Sequence, residues 1–146
     1  MVAVRRRLRS HNRGHAALEV ALLGPWIFFL FAGAFDMGLF AYSLISAQNA
    51  ARVAAEYTST SPTTAVDTAA ACRYVRDEMN GLRNVRSLTT CGALPLIVTA
   101  STVAGPDGTA ASAVSVTYRS DMLIPIPGLS GRLTVTRRVV MMLKNL

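Results

Sequence analysis

The feature that most constrains this chain is a long apolar stretch near its N-terminus. No charged residue occurs from Val20 to Phe35, and apolar character continues past Asp36 to Ile45. A helix over these 26 residues is long enough to cross the roughly 30 Å hydrocarbon core of a bilayer. A buried helix of a soluble protein is the ordinary alternative, but few such helices are this long and apolar on every side. The stretch therefore predicts one transmembrane helix, over residues 15–45.

Positive charge is concentrated immediately before this stretch. Five of the fifteen basic residues lie there: Arg5, Arg6, Arg7, Arg9 and Arg13. This asymmetry predicts a cytoplasmic N-terminus and an exported C-terminal part. From residue 15 onward ten basic residues stand against eight acids, so the net charge of +7 belongs mainly to the tail. The basicity therefore indicates membrane topology and contact with lipid, not nucleic-acid binding.

A cleaved secretory signal peptide is the competing interpretation of the apolar stretch. Its apolar region runs for about 7–15 residues and ends at a small-x-small cleavage site. The small residues at positions 32–34 lie inside continuing apolar sequence. The length of the stretch favours a retained anchor.

A short motif precedes the apolar stretch: Gly14, followed by His15 and, four residues later, Glu19. A carboxylate at this position stabilises a helix N-terminus by a few tenths to about 1 kcal/mol. Alternatively, cleavage after Gly14 would create an ammonium group at His15, which Glu19 could neutralise on its own chain or on a neighbour. The motif is weak alone and more specific between a polybasic segment and an apolar helix. It predicts a basic leader over residues 1–14.

Two residues interrupt the apolar stretch. Pro25 removes one helical hydrogen bond and clashes with the carbonyl of Ala21, which predicts a bend, either for packing in an assembly or as in an ordinary membrane helix. Asp36 would cost about 2.5–3.5 kcal/mol at the centre of a span. It either contacts a partner helix, beside the small residues Ala34 and Gly38, or marks the point where the helix leaves the lipid.

The remainder, residues 46–146, has the pattern of an α+β domain on a helical stem. A row of small residues predicts that the first helix continues to about Thr58: Ala47, Ala50, Ala51, Ala54 and Ala55. A second helix, starting at Ser61-Pro62 or at the Thr64–Asp67 capping box, has a predicted apolar stripe: Ala65, Ala69, Cys72, Val75, Met79 and Leu82. Asn80-Gly81 marks its end.

Three β-branched segments, 96–103, 113–119 and 132–143, predict a small antiparallel sheet packed on the helices. A turn at 105–108 separates the first two, and Pro125–Gly128 lies in the longer loop before the third.

Cys72 and Cys91 permit one disulfide, which exported protein would form in an oxidising space. The bridge would stabilise the domain by roughly 3 kcal/mol, and two buried free thiols are the alternative. Both histidines lie at or before residue 15, and neither cysteine has metal-site spacing. The sequence thus predicts no metal site, no cofactor and no enzymatic activity.

The segment from Arg13 to about Tyr57 resembles the TadE-like family of minor pilin-like proteins of tight-adherence (Flp-type) pilus systems. The resembling parts are Arg-Gly at 13–14, Ala-Leu-Glu-Val-Ala-Leu at 17–22, Pro25, and the stretches 33–40 and 48–57. Later elements are echoed more loosely, by Val114, Val116 and Tyr118 and by Leu-Thr-Val-Thr at 133–136.

The resemblance implies a pilin-like fold and a non-enzymatic pseudopilin of the inner membrane that acts in pilus assembly. A membrane prepilin peptidase would cut between Gly14 and His15, and Glu19 would assist processing or docking. Other partners would be pilin-like subunits and inner-membrane assembly proteins. The alternative function is an unprocessed, membrane-anchored envelope protein whose exported domain binds a partner.

Overall fold

The computed structural model of the chain describes residues 12–121 and 132–144. The predicted leader up to residue 11 and the loop at Pro125–Gly128 lie outside the described residues. The elements are helix α1 (Asn12–Thr58), a 3-10 turn (Thr64–Val66), helix α2 (Thr68–Glu78), and strands β1 (Gly92–Ala93), β2 (Leu96–Ala104), β3 (Ala110–Asp121) and β4 (Arg132–Met142). The strands form one antiparallel sheet in the order β1-β2-β3-β4. The predicted α+β class is confirmed.

The chain divides after Met37 into two compact units. The described part of the first unit is the N-terminal portion of α1, residues 12–37. The second unit begins at Gly38 and contains the rest of α1, α2 and the sheet.

The core of the second unit forms around the alanine face of α1. All five alanines of that face are fully buried: Ala47, Ala50, Ala51, Ala54 and Ala55. They share one apolar cluster with Val75 and Met79 on the helical side and with Leu96, Val114 and Val116 on the sheet. Side chains this small allow close packing of the helix, which is why an alanine row, and not a leucine row, marks this face.

Helix α2 begins later than both of its predicted starts, because Asp67 and not Thr64 caps it, and its buried face differs in part. The Asp67 carboxylate accepts a hydrogen bond from the Ala70 amide at 2.8 Å and caps the helix. Ala69, predicted in the apolar stripe, is exposed, whereas Ala70 and Ala71 are buried. The prediction was wrong here because the buried face of α2 is centred on Ala71 and Val75, and at 100° per residue Ala69 lies on the other side of the helix from Ala71.

Strands β2 and β3 extend their predicted segments by one and five residues, β4 ends one residue earlier than predicted, and one strand was not predicted. Two-residue β1 pairs Gly92 with Ile97 and Ala93 with Leu96; it is too short to show any period in the sequence. The tight turn between β2 and β3 contains Gly108 at φ 79°, a left-handed conformation that favours glycine.

Candidate processing site and membrane helix

The predicted cleavage motif lies in the first turns of α1. The helix begins at Asn12, so Gly14, His15 and Glu19 are all helical, and all three are exposed. His15 and Glu19 are four residues apart, which places them on the same face of the helix one turn apart. A group at the N-terminal end of a mature helix and the Glu19 carboxylate would thus be near neighbours.

The apolar segment of α1 is exposed almost throughout. Between residues 18 and 31, large side chains are more than half exposed at ten positions: Leu18, Val20, Leu22, Leu23, Trp26, Ile27, Phe28, Phe29, Leu30 and Phe31. Only 6% of the most apolar window is buried. An exposed apolar surface of this size marks a site of contact with a membrane or with another protein. The segment is long and apolar enough to span a membrane, and it is not the core helix of the alternative interpretation.

The two interrupting residues behave differently in the structure. The helix is continuous through Pro25. The predicted bend stays a prediction. Asp36 is only 8% exposed, whereas the adjacent Phe35 and Met37 are 49% and 59% exposed. The acidic side chain is therefore shielded, while its apolar neighbours present the surface of the segment.

The two cysteines of the second unit form a disulfide, as predicted. Cys72 on α2 is bonded to Cys91, and their Cα atoms lie 5.8 Å apart. The bridge fastens α2 to the segment that leads into β1, and the Val98 amide bonds to the Cys91 carbonyl at 3.0 Å. It thus joins the helical layer to the first long strand.

A polar contact between the loop after α2 and β3 was not anticipated from the sequence. The Tyr118 hydroxyl donates to Asn84 Oδ1 at 2.6 Å, and Asn84 Nδ2 donates to the Arg119 carbonyl at 3.0 Å. Burial raises the pKa of Tyr118 above its usual range, and the Asp121 charge adds to that shift. Because these residues lie 34 or more positions apart, no local pattern could have paired them.

Among the described residues, no group of three or more histidine, cysteine or acidic side chains could hold a metal ion. The chemistry that the described site offers is the exposed Gly14–Glu19 motif next to an apolar helix.

Comparison with known families bears directly on this part of the chain. Residues 14–56 match the family model described as TadE-like protein. The resemblance is thereby confirmed over a segment that starts at the predicted cleavage glycine and ends two residues before α1 does. A TadE-like segment indicates a pilus-associated protein. No curated protein and no solved structure matches the chain.

Proposed function

We propose that the chain is a minor pilin-like subunit of a tight-adherence pilus, anchored in the inner membrane by α1 and acting in pilus assembly. In this proposal a prepilin peptidase removes residues 1–14, and the subunit has no enzymatic activity of its own. The N-terminus is cytoplasmic, and the α+β domain is exported.

The observation that carries this proposal is the correspondence between the TadE-like match and α1. The match covers the motif, the exposed apolar segment and the buried alanine face in one continuous helix. A secretory signal would be cut away from its domain, but here residues 47–55 of the same helix lie in the core of the second unit. The apolar segment and the folded domain therefore remain covalently continuous after a cut at residue 14.

Cleavage has a simple electrostatic consequence. It creates an α-ammonium group at His15 at the end of an apolar helix, where an unpaired charge is costly. Glu19, on the same helix face, supplies the compensating charge within the subunit or to the next one. The same face then serves processing before the cut and docking after it.

The later part of the span supplies the packing surface. Ala34 and Gly38, which flank the shielded Asp36 in the sequence, are both exposed and lie four residues apart on one helix face, and small residues let membrane helices approach closely. We assign this surface to contact with a partner helix of the assembly, with Pro25 as the bend that aligns the helices.

Substitution of Gly14 tests the proposal most directly. Gly14→Val should leave the leader attached and abolish surface fibres, because the residue before the cut must fit the peptidase. The matched control is Gly33→Val: a Cβ meets no atom within 4 Å at either glycine, so both variants should insert. Mass spectrometry of the purified chain's N-terminus reads the result.

A wild-type chain starting at His15, with Gly14→Val retaining residue 1, supports the proposal. An intact N-terminus in the wild type, or unchanged fibres in Gly14→Val, would instead favour the unprocessed envelope anchor.

A further inference from the structure

A cavity in the second unit lies between α2 and the segment that carries the second cysteine. It has a volume of about 580 Å³, and its walls include the Cys72–Cys91 disulfide and Val98. Two cationic side chains, Arg73 and Arg76, line it one helical turn apart. The cavity thus combines an apolar wall with a pair of positive charges.

The Arg76 side chain is held by one hydrogen bond and retains N–H donors that could bind a ligand. Its Nη1 donates to the Thr89 carbonyl at 3.2 Å, which fixes the guanidinium against the cavity wall. Its Nε is buried and has no hydrogen-bond partner among the described residues. A buried donor without a partner is costly, and the Nε edge of a guanidinium is suited to a carboxylate.

Asp67 is the one acid among the cavity's lining residues. Its carboxylate is committed to the Ala70 amide as the helix cap. The two arginines therefore give the cavity a net positive charge, and its complement is an anionic group of modest size.

The second unit carries a matching group at the tip of the β2–β3 hairpin. Asp107 is exposed in the turn Gly105-Pro106-Asp107-Gly108. The turn is stiff, because the Gly105 amide bonds to the Thr109 carbonyl at 2.7 Å and the Gly108 amide bonds to the Gly105 carbonyl at 3.0 Å. The Thr109 hydroxyl donates to Asp107 Oδ1 at 2.9 Å and lowers the pKa of the carboxyl group, so it is charged at neutral pH.

The cavity and the turn lie toward opposite ends of β2. Val98 on the cavity wall and Gly105 in the turn are seven residues apart along an extended strand, or roughly 23 Å. A copy therefore cannot place its own Asp107 in its own cavity. Contact between such separated, complementary patches is head-to-tail, the kind that propagates along a filament when it does not close into a ring.

We propose that the Asp107 turn of one copy docks in the Arg73–Arg76 cavity of a second copy. The occupant is thus a preorganised turn that carries a carboxylate beside an apolar proline. Pro106 of the first copy would lie against the disulfide of the second, and Asp107 would lie between the two arginines. This contact goes beyond the proposed pilus function and does not depend on leader cleavage.

Zero-length cross-linking tests this contact on the full chain in detergent. Arg73→Lys keeps the charge and adds an amine that a carbodiimide can join to a carboxylate in direct contact. An equimolar mixture of isotopically heavy and light Arg73→Lys chains should yield heavy–light peptides linking Lys at position 73 to Asp107. Exposed Arg86, outside the cavity, gives the matched control Arg86→Lys, which should yield at least about tenfold less of a link to Asp107.

Two further readouts complete the test. The Asp107→Asn substitution in the otherwise native chain should weaken concentration-dependent self-association, measured by sedimentation velocity. Salt at 1 M should do the same, because it shortens the Debye length to about 3 Å and so screens the attraction between the charges. Absence of the heavy–light link, or an equal yield from the Arg86→Lys chain, overturns the contact. Since the uncleaved chain is used, that failure would be separate from a failure of the pilus proposal.

Discussion

At the scale of single residues, two hydrogen bonds between polar side chains join parts of the second unit that are far apart in the chain. Thr58 and Ser112 are both fully buried, and the Ser112 hydroxyl donates to Thr58 Oγ1 at 2.7 Å. This bond joins the end of α1 to β3 across 54 positions. Tyr118 and Asn84 make the equivalent connection toward the other end of β3. Both contacts specify how the helices sit on the sheet.

Removal of the Thr58 acceptor should be costly. Thr58→Val keeps the shape but leaves the buried Ser112 hydroxyl without this partner, for an expected loss of about 1–3 kcal/mol in the free energy of unfolding. Thr136→Val is the matched control, because the Thr117–Thr136 hydroxyl pair is exposed and its loss should cost within about 0.5 kcal/mol. Urea unfolding of the full chain in detergent measures both; equal losses would contradict the role of the buried bond.

Tyr118 should make stability depend on pH in the alkaline range. Its pKa is raised in the folded state, so above about pH 10 the unfolded chain releases this proton before the folded chain does. Stability from this group is therefore complete below that pH and falls as pH rises toward the folded-state pKa. Tyr118→Phe should show a shallower alkaline decline in unfolding free energy, although it is less stable at neutral pH. Identical slopes in the two proteins would refute the assignment.

At the scale of elements, the two parts of α1 differ in which side chains they expose and which they bury. Its N-terminal part has large exposed apolar side chains, and its C-terminal part has alanines at all five buried positions between residues 47 and 55. The helix has no apolar stripe along its full length, because lipid would surround one part and protein packs on one side of the other. The element therefore changes environment without a break in its backbone.

Enlargement of the alanine face should separate α1 from the sheet. Ala51 is fully buried and belongs to the apolar core cluster. Ala51→Leu should therefore destabilise the second unit by about 1–3 kcal/mol through overpacking. Val53, 36% exposed on the adjacent face, provides the control Val53→Leu, which should be close to neutral. Thermal unfolding followed by circular dichroism distinguishes them, and a neutral Ala51→Leu would show that the face is not closely packed.

At the scale of the whole molecule, the proposed topology links the basic tail to the disulfide. The arginines before the span would hold the N-terminus in the cytoplasm, and Cys72 and Cys91 would then reach an oxidising space. The state of the disulfide is thus a reporter of orientation.

Neutralisation of the five tail arginines to Gln should therefore leave a fraction of the chains with free thiols. The expected change is an increase in alkylated Cys72 and Cys91 under non-reducing conditions, as inverted chains stay in the reducing cytoplasm. Replacement of the same arginines by Lys keeps the charge and should keep the disulfide intact. Full oxidation in the Gln variant would show that the tail does not set the topology.

Local pattern in the sequence determined much of this protein. The apolar length of α1, its alanine face and the positions of the three long strands follow from propensity and periodicity, which act between near neighbours. The disulfide followed because the chain has only two cysteines. The motif at Gly14 could also be recognised from the sequence, because the basic segment before it and the apolar segment after it are its immediate neighbours in the chain.

Only the tertiary structure decided which distant groups meet. The burial of Ala70 in place of Ala69, the two-residue β1, the Asn84–Tyr118 bond and the cavity with Arg73 and Arg76 depend on how α2 is set against the sheet. The cavity beside those two arginines exists because the disulfide holds the Cys91 segment next to α2. Contacts of this kind join residues far apart in the chain, so the spacing of residues within a short segment does not predict them.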